Sequence, residues 1–100
     1  MRILIDMKFD DFWQKMYRSL RTQRNFTTLH RRSPFSAYSE NNSIVVVPKT
    51  KDPRNLTRAQ FMEIWNNASK LPSYERYRPG NYSKITFNSS YAVTLMKAFL

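Results

Sequence analysis

The sequence predicts an α+β fold: a small single domain over residues 1–100 in which a short antiparallel sheet is packed by three helices. Three observations lead there. Apolar residues recur at helical spacing in three separate segments, a β-branched run (Ile44, Val45, Val46, Val47) stands between them, and turn residues flank that run. A chain of 100 residues has room for one hydrophobic core.

The first helix is expected over 9–23, where Phe9, Phe12, Trp13, Met16, Tyr17 and Leu20 share one face. Asp10 and Asp11 in its opening turn, and Arg18, Arg21 and Arg24 toward its end, complement the helix dipole. The periodicity then changes to a short strand at 26–30 and a hairpin over about 35–47, in which Phe35 and Ala37 alternate with Ser36 and Tyr38. Glu40, Asn41 and Asn42 supply the turn. Four successive apolar residues in the second hairpin strand predict cover on both faces, and Pro48 limits its extension. A polar, basic loop follows over 49–55.

The second helix, about 58–70, has the clearest start: Thr57 and Gln60 form a capping box, with Leu56 and Phe61 placed as a hydrophobic staple. Phe61, Ile64, Trp65 and Ala68 face inward, and Pro72 closes the segment. Residues 72–87 are expected to be mostly irregular, with a turn at Pro79-Gly80 and a short strand at 84–87. Asn88 or Ser89 caps a third helix over 89–99, whose stripe is Ala92, Leu95, Met96 and Phe99.

Charge is the outlying feature: 17 Lys plus Arg against 7 Asp plus Glu leave a net +10. Such an excess draws anions, and Arg outnumbers Lys, which favours planar bidentate recognition of phosphate. Without cysteine there is no disulfide, no thiolate metal site and no cysteine nucleophile, as expected of a cytoplasmic protein. The apolar opening of the chain ends at Asp6, short of a signal-peptide core or a membrane span, so neither export nor membrane association is expected. The six Asn-x-Ser/Thr triplets are then incidental. Richness in Asn, Lys, Ile, Tyr and Phe points to an AT-rich genome, bacterial or viral. A single glycine, Gly80, excludes a Gly-rich phosphate loop, so phosphate has to be held by side chains and helix ends.

Two basic stretches are candidates for that task. In the first, Arg76, Arg78 and Lys84 alternate with Tyr74, Tyr77 and Tyr82. Guanidinium groups neutralise phosphates and tyrosine rings stack on unpaired bases, unless the rings merely fill the core beneath a solvated loop. In the second, Lys49, Lys51, Arg54 and Arg58 lead into the amino terminus of the second helix, either as an anion site or as an ordinary solvated loop. Arg31 and Arg32, beside His30, precede the hairpin and add to the count of phosphates that can be neutralised.

Catalytic groups are scarce. His30 is the only histidine, and the carboxylates are scattered, so no metal or other cofactor is expected. The enzyme class that survives is a metal-free ribonuclease using His30, Glu40 or Glu75 with Arg31, Arg76 or Arg78. The leading expectation is a non-catalytic, sequence-tolerant protein that binds DNA or RNA through Arg and Lys contacts to phosphates. The alternative is a protein-binding inhibitor or adaptor of a phage or mobile element, docking a basic face on an acidic partner.

Overall fold

The computed structural model describes residues 7–100, and the apolar opening of the chain lies outside them. Its sheet is a four-stranded antiparallel meander of β1 (Arg24–Thr27), β2 (Pro34–Glu40), β3 (Ser43–Pro48) and β4 (Arg54–Thr57), ordered in space as in sequence. Three helices, α1 (Phe9–Ser19), α2 (Arg58–Ser69) and α3 (Ser89–Phe99), share one core with it. No helix among the described residues is long and apolar enough to cross a membrane.

The amphipathic face of α1 buries Phe12, Trp13 and Met16, and Leu20 beyond its end is fully buried. The helix stops at Ser19, short of the expected 23, because the Leu20 carbonyl accepts the Ser39 N–H at 2.8 Å. The chain is thereby turned into β1, whose Arg24 stands opposite Ala37. The expected strand at 26–30 is accordingly shifted toward the amino terminus. Aromatic rings join α1 to α2: Phe12 lies 4.8 Å from Trp65, and Trp13 lies 5.8 Å from Phe61.

The turn joining β2 to β3 is the two-residue loop Asn41-Asn42, both residues with positive φ (50° and 58°). Asn tolerates that left-handed conformation, and a two-residue loop of this kind matches the twist of the strands it joins. Alternate residues Phe35, Ala37, Ile44, Val46 and Leu56 enter the core with the helices. On the opposite face Val45 is buried but Val47 is only half-buried, so cover there is partial.

β4 falls within the stretch expected to be a loop and a helix start. Its Leu56 pairs with Ile44 and its Arg54 with Val46, and Thr57 ends it by capping α2. The capping box forms in full, with the Gln60 N–H donating to the Thr57 side chain and the Thr57 N–H to the Gln60 side chain. Residues 84–87 form no strand: the Ile85 and Thr86 N–H groups both donate to the Tyr82 carbonyl, which curls the segment into turns after a short 3₁₀ helix at Pro79–Tyr82.

Candidate functional site

Antiparallel registry decides which basic residues meet. Thr27 pairs with Pro34, and Phe35 with Pro48, so the β1–β2 loop (28–33) and the β3–β4 loop (49–53) leave the same end of the sheet. The Asn41-Asn42 turn lies at the other end. His30, Arg31 and Arg32 are thereby brought toward Lys49, Lys51 and Arg54, although about twenty residues separate the two groups in sequence.

The first loop is closed by Thr28, which is buried: its carbonyl accepts the Arg32 N–H at 3.1 Å, and its hydroxyl accepts the Ser33 N–H at 2.9 Å. Arg32, with φ of 54°, occupies the left-handed region at the loop tip. The loop is anchored on both flanks. The Leu29 N–H reaches the Thr94 hydroxyl on α3 at 3.3 Å, and His30 Nε2–H donates to the Tyr77 carbonyl at 3.1 Å.

Between these loops and the start of α3 lies a cleft of about 390 Å³, into whose wall His30, Arg31, Lys51 and Arg54 all contribute. That volume falls in the range of about 300–1,000 Å³ typical of ligand sites. Among the described residues no Asp or Glu lines the cleft. Among the described residues the ion pairs are Arg58 with Asp10 and Arg78 with Glu75, so the cleft cations have no carboxylate partner. Arg54 is half-buried and held in place: its Nη1 donates to Asn88 Oδ1 at 3.1 Å.

That bond changes the start of α3. Asn88 is the residue before the first helical turn, yet its side chain makes no cap to its own helix because it is engaged by Arg54. The first turn of α3 thus lacks a side-chain acceptor, and Ser90 and Tyr91 of that turn line the cleft. Unsatisfied N–H groups at a helix start add a positive partial charge to the three cations.

The remaining expected site residues are dispersed. Lys49 and Arg32 are exposed on the two loops outside the cleft wall, and Lys49 borders a neighbouring concavity with Asn25, Phe26 and Ser36. Arg58 follows Thr57, which pairs with Ser43 at the opposite end of the sheet. There Arg58 is paired with Asp10 and lies 5.1 Å from the Phe9 ring centroid. The expected continuous stretch from Lys49 to Arg58 is therefore divided by β4 between the two ends of the sheet.

The tyrosine-rich segment is divided between surface and interior. Tyr74 is 70% exposed, Lys84 is exposed, and Arg78 is an exposed residue 3.7 Å from Glu75. Tyr77 is half-buried with the Lys97 ammonium 5.5 Å from its ring centroid. Tyr82, by contrast, is fully buried and donates its O–H to the Arg76 carbonyl at 2.6 Å. Burial pushes its phenol pKa up to about 12, against a smaller lowering by the Arg76 charge. Arg76 itself is only 4% exposed, with no hydrogen-bond partner for Nε or Nη2 among the described residues. As the chain is folded, Tyr82 offers no stacking surface and Arg76 little to a phosphate.

One cleft residue escapes sequence reasoning altogether: Phe87, which is 98% exposed. The available signal was positional, an aromatic residue immediately before the Asn88 cap, and it points equally well to a buried staple. No protein-family model, curated protein or solved structure matches the chain.

Proposed function

We propose that this protein binds nucleic acid without sequence preference, holding the phosphate backbone at the cleft formed by the β1–β2 loop, the β3–β4 loop and the start of α3. The observation that supports this reading is the convergence of Arg31, Lys51 and Arg54 on one cleft, whose wall carries no carboxylate among the described residues. Arg32 and Lys49, exposed on the same loops, widen the positive surface. Cations gathered in this way release counterions from a phosphate chain, and that release supplies most of the affinity of sequence-tolerant binding.

The role is non-catalytic. His30 lines the cleft, and the carboxylates considered as its catalytic partners do not: Glu75 stands beside Arg78 and Glu40 at the far end of the sheet. An adaptor docking on an acidic protein would use the same cations, and no separate feature of the cleft favours it. A cytoplasmic setting, where nucleic acid is abundant, belongs to this reading.

Measuring affinity for a generic oligonucleotide against salt tests it. Three phosphates neutralised give a log–log slope of about −2 to −3, a loss of roughly 20- to 40-fold when salt rises fourfold. Absence of binding at low salt rejects the reading.

A further inference from the structure

Phe87 lines the cationic cleft and is 98% exposed, the most exposed large apolar side chain among the described residues. Its place in the chain makes that exposure informative. In α2 the residue before the cap, Leu56, turns inward and is buried, as is Phe61 five residues on. In α3 the equivalent pair is Phe87 and Ala92. Ala92 is fully buried while Phe87 stands out in water, so no staple forms. Phe87 therefore contributes nothing to the core and is free to meet a ligand.

What surrounds the ring suggests its use. Arg31, Lys51 and Arg54 line the same cleft, and Arg54 is tied to Asn88, the residue next to Phe87. An exposed aromatic ring beside cations that line the same cleft matches a ligand with a phosphate on one side and a flat apolar face on the other. A nucleotide of a single strand has both, whereas in a duplex the faces of the bases are stacked on one another.

Resting on the nucleic-acid reading above, we infer that the preferred ligand is single-stranded, with one unpaired base stacked on Phe87 while the adjoining phosphates lie against Arg31, Lys51 and Arg54. The cations then give affinity for any polyanion, and Phe87 gives preference for one with free bases. Stacking on a π-face is tolerant of base identity, so the preference is for strandedness and not for sequence.

The experiment compares the wild type with Phe87→Ala on three ligands: oligothymidylate, a DNA duplex of the same length, and inorganic polyphosphate, which has charge but no bases. Because Phe87 packs on nothing, the variant folds as the wild type does. Loss of one stacked base weakens oligothymidylate binding by about tenfold, leaving duplex and polyphosphate binding and the salt slope unchanged. Phe87→Trp retains the single-strand affinity, and its new indole fluorescence is quenched by oligothymidylate. Unchanged oligothymidylate affinity in Phe87→Ala, or equal weakening on all three ligands, overturns the stacking role while leaving phosphate binding intact. Failure of the wild type to bind any of the three at low salt overturns both.

Discussion

Tyr82 and Phe87 sit five residues apart, and each occupies the environment expected of the other. The phenol, with a polar tip suited to solvent, is buried, and the phenyl ring is in water. The 3₁₀ turn at Pro79–Tyr82 directs Tyr82 inward, where its O–H meets the Arg76 carbonyl. Burial then favours the neutral phenol, raising its pKa from 10.0 to about 12. Between those values the unfolded chain releases the tyrosine proton and the folded chain retains it. The unfolded state binds fewer protons there, so stability falls as pH rises from about 10 to about 12 and this contribution levels off above that range. Denaturation midpoints followed across this window are expected to show the advantage of the wild type over Tyr82→Phe shrinking with pH. Parallel curves for the two proteins would mean that the phenol ionises alike in both states.

At the scale of elements, the two well-defined helix starts divide two tasks between them. Thr57 closes a capping box on α2, whereas Asn88 lends its amide oxygen to Arg54 and leaves α3 without a side-chain cap. Thr57→Ala is expected to destabilise the fold by about 1 kcal/mol with little effect on ligand affinity, and Asn88→Ala to cost less than half of that while weakening binding, because Arg54 loses its support. Urea midpoints measured beside oligonucleotide affinities check this, and equal stability losses without an affinity change in Asn88→Ala would contradict it. The capping box and the Asn41-Asn42 turn were legible in sequence because each is a local device with its own hydrogen bonds or backbone conformation. β4 was not, since Arg54-Asn-Leu-Thr has no β-branched run. Its alternation of Arg54 and Leu56 acquires meaning only opposite Val46 and Ile44. The last turn expected of α1 was lost for a similar reason, to a bond between Leu20 and the distant Ser39.

For the whole molecule, the net +10 raises the expectation of a polyanion partner but cannot say where one would lie. Placement comes from topology. A meander puts alternate connections at the same end of the sheet, which assembles Arg31, Lys51 and Arg54 and sends Arg58, close to Arg54 in sequence, to the opposite end, beyond the length of β4. Arg31, Lys51 and Arg54 were thus identifiable as basic loop residues, while their meeting was not. The emphasis that sequence gave to Arg76 and Tyr82 had no such pairing behind it, and both are interior.

If location and not total charge governs binding, two triple variants of identical net charge must behave differently. One replaces Arg31, Lys51 and Arg54 with serine; the other replaces Lys15, Arg18 and Arg21, on and just beyond α1, in the same way. With folding verified by circular dichroism, oligonucleotide affinity is measured for both across a salt series. The cleft variant is predicted to lose most of its affinity and its salt slope to flatten by about 2 to 3 units, while the α1 variant stays close to the wild type. Equal losses in the two variants would show that diffuse charge, and not the cleft, does the binding.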